Sequence, residues 1–392
     1  MQAFMNINLI SKNYINQFKH LETQLNIKNT KIKGSTLLRL FFLCMAIGYL
    51  SWEASAQDSL QLQSLFKTEQ DQEVACYRIP ALTTAPNGDL IAAIDERVPS
   101  CGDLKWNKNI NIVIRRSTDN GKTWLPIETV VDYPLGQSAS DPSLIVDRDT
   151  KSIFLFFNFM DLDKEKDVYY FKYIKSTDNG KTWSGPVDIT EQISLPNSRK
   201  DFQFITSGRG VQTKNGRLLH TLVNLDKGVF IFGSKDHGKT WFVNENPLSP
   251  GDESKIIELE NGDWMVNSRV NKAGYRYIHT SSNQGKSWET YIDSSLIDPA
   301  CNASLLVYPD KKAKTDLLIF SNLDSQEKRQ HLTIKISKDH GKTWSRPKTI
   351  YKGAAAYSSL TILKNGDIGL FFEKDDYTDN VFTYFSLDWL LQ

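Results

Sequence analysis

This sequence is poor in the side chains that usually hold metals or redox centres. Its six histidines, His20, His220, His237, His279, His331 and His340, are scattered, and two of them fill a variable turn position before glycine, so no ligand set is legible. A Gly-rich phosphate loop is also missing. Neither a metal nor a cofactor is expected. Charge of one sign is lacking too, because 47 Lys+Arg stand against 46 Asp+Glu for a formal net charge of +1. That balance favours neither nucleic acid nor an anionic membrane as partner. Residues 1–56 hold six of the basic and two of the acidic residues, which leaves 41 against 44 beyond them. A domain so balanced has no general basic field, and any anion site in it has to be local.

Long hydrophobic runs are absent as well. The apolar stretch 40–50 has eleven residues, short of the roughly 20 that span a bilayer as a helix. Lys31, Lys33 and Arg39 precede it and Ala54-Ser55-Ala56 follows, the order of an export signal with cleavage after Ala56. Residues 1–56 are therefore read as an N-terminal extension and signal peptide, residues 57–392 as the working domain, and the protein as periplasmic or secreted. Of four cysteines, Cys44 falls in that signal. The odd set left, Cys76, Cys101 and Cys301, is compatible with a Cys76–Cys101 bridge or with three buried thiols.

What the chain does have is repetition. A Ser-x-Asp-x-Gly-x-Thr-Trp turn starts at Ser117, Ser176, Ser234 and Ser337, and a near-isosteric copy with Asn283 and Ser287 starts at Ser281. The spacings, 59, 58, 47 and 56 residues, mark a stack of equivalent strand-rich units. Within each box an Asp can accept backbone N–H bonds, Gly can take positive φ and Trp can fold back onto the sheet, so these turns read as scaffold.

Hairpin signals recur at Asn87-Gly88, Asp149 to Lys151, Asn215-Gly216, Asn261-Gly262, Asp310 to Asp316 and Asn365-Gly366, which counts six units. The expected fold is an all-β, six-bladed propeller of four-stranded antiparallel blades. A ring of that kind has to close, so a segment within residues 60–74 should supply the outer strand of the last unit. If hairpins and boxes share one face, chemistry gathers on the other. Arg78, Asp141, Gln203, Glu253, Cys301 and Tyr357 precede the hairpins at similar distances, and Arg97, Asn158, Arg269, Asn322 and Glu373 follow them. Several arginines pointing together repel, and they persist where carboxylates or an anionic ligand offset them.

Tyr77-Arg78-Ile79-Pro80, the five boxes, Asp103, Asp-Glu-Ser at 252–254, Asn-Ser-Arg at 267–269 and Ala-Tyr-Ser at 356–358 occur in the order found in sialidase (neuraminidase) catalytic domains. On these motifs the chain resembles a bacterial-type exo-α-sialidase with Asp-box (BNR) repeats, over essentially all of residues 57–392. The resemblance implies a glycoside hydrolase that removes terminal α-linked sialic acid from glycoproteins, glycolipids and oligosaccharides. It implies that Arg78, Arg269 and Arg329 clamp the substrate carboxylate as planar, permanently charged forks. Tyr357 matches the nucleophile and Glu253 its activating base. A phenol suits this substrate, because an anionic nucleophile would be repelled by the carboxylate carried on the anomeric carbon.

Asp103 matches the acid that protonates the leaving oxygen, on a loop whose partly apolar surround is expected to raise its pKa. Arg97 lies one residue farther from Asp103 than the family spacing, which leaves Asp95 or Glu96 as fallback acids. Glu373 matches a carboxylate that orients Arg78, Arg97 is expected near the substrate's N-acyl or C4 region, and Asp141, Trp106, Phe202 and Gln203 are candidates to line the pocket. The 336 residues beyond the signal leave about 56 per unit, with no room for a separate lectin domain. The resemblance is compatible with a trans-sialidase or intramolecular trans-sialidase as an alternative. A non-catalytic sialic-acid-binding propeller needs the clamp but not the Tyr357–Glu253 pair. The partners expected are sialylated glycans, with no nucleic acid, no stable membrane insertion after signal cleavage and a monomeric state.

Overall fold

Consecutive antiparallel strand units make up the domain, each with its hairpin at the same end, and the five boxes lie at that end too. The structure is a computed structural model that describes residues 60–68, 73–310 and 315–392. The expected signal, with Lys31, Lys33, Arg39, the 40–50 run and Ala54 to Ala56, lies outside the described residues. Among the described residues no helix is long and apolar enough to cross a membrane. Among the described residues the chain is all-β, with only short helices at Thr190–Ile193 and Leu387–Leu391 and a 3-10 turn at Leu104–Trp106.

The first unit runs Cys76–Thr84, Leu90–Arg97, Ile110–Ser117 and Glu128–Val131 in that spatial order. Equivalent sheets follow, and the long strand Lys348–Ile362 links the last two by pairing with Gln330–Ser337 at its start and with Ile368–Lys374 at its end. Gln63–Lys67 pairs antiparallel with Asp379–Phe385, so a segment from the start of the domain completes the last sheet. The hairpins close as Thr84↔Leu90, Asp147↔Ser152, Gln212↔Leu218, Glu258↔Trp264, Asp310↔Thr315 and Ile362↔Ile368. Box serines pair with residues just past those turns, as in Leu90↔Ser117 and Trp264↔Ser281, which puts boxes and hairpins at one end.

Inner strands touch in sequence. Cys76–Thr84 contacts Gln137–Asp147 and Lys348–Ile362, while Ser254–Glu258 contacts Val211–Gln212 and Ser304–Asp310. Apolar clusters sit between neighbouring sheets rather than within one: Phe154, Phe156 and Tyr173 pack with Leu218, Phe232 and Trp241, and Phe66, Phe371 and Phe382 pack with Leu82, Leu90 and Val113.

The boxes are the joints between units. In the first, Ser117 Oγ accepts from Gly121 N at 2.9 Å, and Asp119 accepts from Thr123 N at 2.9 Å and Thr123 Oγ1 at 2.7 Å. Gly121 has φ +82°, and a Cβ there would lie 2.3 Å from Phe382 of the last unit. Gly180 stands in the same way against Ile91 of the first unit, and Gly238 against Phe154 of the second. Each of these boxes therefore abuts the unit before it, and the first abuts the last.

Cys76 and Cys101 form a disulfide, which ties the loop carrying Asp103 to the first inner strand, while Cys301 is a buried free thiol. Of the two arrangements left open by the sequence, the set of three thiols is therefore set aside.

Candidate active site

The ends of the inner strands away from the hairpins are irregular at the positions that carry the candidate chemistry. Pairing register shifts between Arg78 and Ala81, between Ser140 and Ser143, and between Ala355 and Ser358. Such bulges re-aim side chains. Ile79 has φ +68°, an outlier for a β-branched residue, and Asp141 has φ +62°. Ile79 is held there by its N–H, which donates to Glu373 Oε1 at 2.8 Å.

Tyr357, Glu253 and Arg269 meet from two units. Tyr357 Oη donates to Glu253 Oε2 at 2.7 Å, and Arg269 Nη1 donates to the same oxygen at 2.5 Å and to Tyr357 Oη at 3.2 Å. Asn271 Oδ1 accepts from Arg269 Nη2 at 3.0 Å, and Asp252 Oδ2 lies 3.5 Å from Arg269 Nε. Two more guanidiniums flank the ring: Cζ of Arg78 is 5.7 Å and Cζ of Arg329 is 5.6 Å from its centroid. The three arginines expected to form a clamp thus converge on one phenol.

Fully buried Glu373 organises one side of this cluster. It accepts from Arg78 Nε at 2.9 Å, Ile79 N at 2.8 Å and Tyr357 N at 3.0 Å, so one carboxylate fixes a clamp arginine and the backbone beneath the tyrosine. Burial pushes the Tyr357 phenol well above its ordinary pKa, Glu253 adds to this, and Arg269 and Arg329 pull the other way. The phenol is therefore protonated at neutral pH and needs a base to become a nucleophile. Burial opposes the charge on Arg78, but Glu373, Tyr357 and Tyr377 outweigh it and hold the proton firmly.

A second group forms around Arg97, which is completely buried. Its Nη1 donates to Asp103 Oδ1 at 2.7 Å and to Cys101 O at 2.9 Å, and its Nη2 donates to Asp95 Oδ2 at 3.0 Å. Asp95 is also buried; it accepts from Ser140 Oγ at 2.6 Å and from Asp141 N at 3.0 Å. Burial raises the Asp95 carboxyl to about 6 against the opposing pull of Arg97. Asp141 is raised well above the ordinary range by burial and then by Asp95, and its Oδ2 accepts from Asn158 Nδ2 at 3.0 Å. Asp103, by contrast, has a side chain 63% exposed and paired with Arg97, not the apolar surround expected from the sequence. Asp95 is turned inward among its partners, so it is less placed than Asp103 to reach a ligand.

Comparison with known proteins decides the family. Residues 102–370 match the model for the BNR repeat-like domain. The sialidase of Micromonospora viridifaciens is 36% identical over 82% of this chain and 54% of its own length. The sialidase of Bacteroides fragilis (strain YCH46) is 32% identical over 77% of this chain and 61% of its own. Among solved structures, the Hadza microbial sialidase Hz136 superposes with a TM-score of 0.75 at 29% identity, over 84% of this chain and 69% of that one.

The chain belongs to the BNR-repeat sialidase family.

It spans little more than half the length of the bacterial relatives it matches. Within this sialidase fold the remaining expected residues are more dispersed. Trp106 is 63% exposed on the 3-10 turn after Asp103, and Lys105 Nζ lies 5.9 Å from its ring and 5.4 Å from that of Phe202. Phe202 packs on Tyr169 at 5.1 Å. Gln203 is buried, and its Nε2 donates to Ser198 O at 3.0 Å, so its amide is engaged within its own loop instead of facing the arginines.

Sequence reasoning passed over Tyr377. Its ring lies under Arg78, 3.9 Å from Cζ, and its hydroxyl accepts from Arg329 Nη1 at 3.3 Å, so it ties two clamp arginines together. It ends a run of positive φ at Asp375, Asp376 and Tyr377; paired Asp residues after a strand, which tolerate that region, were the available signal. Lys255 was also missed. It is buried two positions from Glu253, its Nζ donates to Asn302 Oδ1 at 2.6 Å, and burial pulls its pKa down to about 7.

Among the described residues one metal-ligating cluster occurs, Asp147, Asp149 and His237, with ligand atoms within 4.8 Å of one another. Asp147 already accepts from Thr150 Oγ1 at 2.6 Å and Gln212 Nε2 at 2.8 Å and pairs with His237 Nδ1 at 2.9 Å. Those bonds account for the cluster as a brace between units.

Proposed function

We propose that this protein is an exo-α-sialidase that hydrolyses terminal α-linked sialic acid on glycoproteins, glycolipids and oligosaccharides with retention of configuration. The observation that carries the reading is the contact of Tyr357 Oη with Glu253 at 2.7 Å inside the converging Arg78, Arg269 and Arg329. A lectin has use for the arginines but none for a buried phenol on a carboxylate. The names of the bacterial relatives support the same reading.

In this mechanism the arginines hold the substrate carboxylate. Tyr357 Oη attacks the anomeric carbon as its proton passes to Glu253 Oε2, and the glycosidic C–O bond breaks as Asp103 protonates the leaving oxygen. Water then attacks the same carbon and gives a proton to Asp103, the bond to Tyr357 breaks, and the phenolate recovers its proton from Glu253. Two inversions leave the anomeric configuration unchanged. Arg97 aligns Asp103 for both transfers, and Arg269, within 3.2 Å of Tyr357 Oη, stabilises negative charge on that oxygen.

The scaffold in this reading is a closed six-bladed propeller of residues 57–392. Support comes from the sequential contacts of the inner strands, from Gln63–Lys67 completing the last sheet, and from Gly121 abutting Phe382. Export to the periplasm or medium fits the Cys76–Cys101 disulfide and the signal-like segment. The test is sugar release from 2,3- and 2,6-sialyllactose by the wild type and by Tyr357→Phe, with products identified by NMR. Free sialic acid from the wild type and severe loss in the variant are expected. An anhydro sugar or transferred sialoside would instead mean a transferase, and binding without turnover would reject catalysis.

A further inference from the structure

The hairpin ends of the inner strands line a second cavity, half open to solvent and separate from the site around Tyr357. It has a volume of about 410 Å³ and takes lining from every unit, including Thr84, Val146, Gly210, Ile257, Val307 and Thr361. Tyr357 and Thr361 lie on the same strand four residues apart, about 13 Å along it, so the two sites occupy opposite ends of the same strands.

Two arginines line this cavity, part-buried Arg209 and exposed Arg148. Arg209 Nη1 donates to Leu360 O at 3.0 Å, and that is its one hydrogen bond among the described residues. Arg148 Nη2 donates to two carbonyls, Gln212 O at 3.1 Å and Thr213 O at 3.3 Å. Neither forms an ion pair among the described residues. Glu258 and Asp316 also line the cavity, but the Glu258 carboxylate accepts from Lys214 N, and neither is within ion-pairing distance of an arginine. Burial, followed by repulsion from Arg148, loosens the proton on Arg209 and brings its pKa to about 10. By contrast, the arginines around Tyr357 and Asp103 are each matched by a carboxylate or a phenol. A part-buried guanidinium that faces a cavity beside a second cation, with no carboxylate in reach, favours an anion as its partner.

We propose that this cavity is a binding site for a small oxyanion, a phosphate or carboxylate group held by the forked donors of Arg209 and Arg148. Guanidiniums match such groups in plane and bidentately, and the cavity is large enough for an organic molecule bearing one. Because all six inner strands line it, an occupied site bridges the units and acts as an electrostatic pin at the end of the domain opposite the clamp. The proposal does not depend on the activity assigned to Tyr357.

The test is thermal unfolding of the full chain in rising inorganic phosphate, and separately acetate, at constant ionic strength set with sodium chloride. The arginines around Tyr357 also attract anions, so the reading is the difference between the wild type and Arg209→Gln, whose clamp is intact. A saturable rise in Tm in the wild type that is much smaller in Arg209→Gln, with sialoside turnover equal in the two, supports the site. A stronger response to phosphate identifies a phosphoryl ligand, and a stronger response to acetate a carboxylate. Should Arg209→Gln fail to fold, anomalous diffraction from bromide-soaked wild-type crystals decides: a peak between Arg148 and Arg209 supports the site, and its absence overturns it. Equal responses in wild type and variant, or no saturable response, would also overturn it and leave a hydrated void.

Discussion

Glu253→Gln separates proton transfer from every other duty of the site. The amide oxygen can still accept from Tyr357 Oη, now 2.7 Å away, and from Arg269, so the geometry is kept. What is lost is the ability to take the phenol proton, and burial holds that proton more tightly than usual. General-base catalysis contributes about 10²–10⁴-fold, so the barrier should rise by about 3–5 kcal/mol and kcat should fall by that factor. KM should change little, because Arg78 remains on Glu373 and Arg329 on Tyr377. Stability should drop by about 1–3 kcal/mol, less than for an orphaned buried charge, since Arg269 keeps Asn271 at 3.0 Å and Asp252 at 3.5 Å. Steady-state kinetics on a fluorogenic sialoside, beside thermal melts, reads both quantities. A kcat within tenfold of wild type in a variant that melts normally would refute Glu253 as the base.

Three other outcomes follow from the scaffold. Gly121→Ala combines φ +82° with a Cβ 2.3 Å from Phe382, whereas Gly262→Ala has φ +88° and open space. The first should cost about 2–4 kcal/mol in chemical denaturation and the second about 1, and equal costs would deny the close approach between first and last units. Asp119 is held at about 2, chiefly by the Thr123 hydroxyl and amide, so its stabilisation is present above the ordinary Asp pKa and is lost as pH falls from about 4 towards 2. Asp119→Asn should therefore melt below wild type at pH 7, with a gap that closes near pH 2, and a gap independent of pH would contradict this. Lys255 is protonated less readily folded than unfolded, so it makes stability rise with pH from about 7 to its ordinary lysine value. Lys255→Met should flatten that rise, as read by melts across the range, and an unchanged slope would show that Lys255 is not its source.

Local turn chemistry made much of the fold legible. The box glycines and the Asn-Gly hairpins need left-handed backbone whatever surrounds them, and their spacing counted the units and put Arg78, Glu253, Arg269, Tyr357 and Glu373 at one end. The strand that completes the last sheet, Gln63–Lys67, followed from the unit left incomplete at the end of the chain. Contacts decided by loop paths were not legible. Nothing in their spacing paired Cys76 with Cys101, or seated Tyr377 beneath Arg78, or turned Gln203 onto Ser198, because each depends on how an irregular segment folds back. Lys255 escaped notice for a different reason: in a β-strand pattern a lysine reads as solvent-facing, and here it is buried with its Nζ on Asn302.

The most direct measurement is to trap the covalent intermediate. A sialosyl fluoride bearing a second fluorine at C3 slows hydrolysis of the intermediate, because the substituent withdraws electrons from an oxocarbenium-like transition state. After reaction, digestion and mass spectrometry, the account predicts one added fluorosialosyl group on the peptide containing Tyr357, absent in Tyr357→Phe. Turnover of ordinary sialosides without such an adduct, or an adduct on another residue, would contradict it.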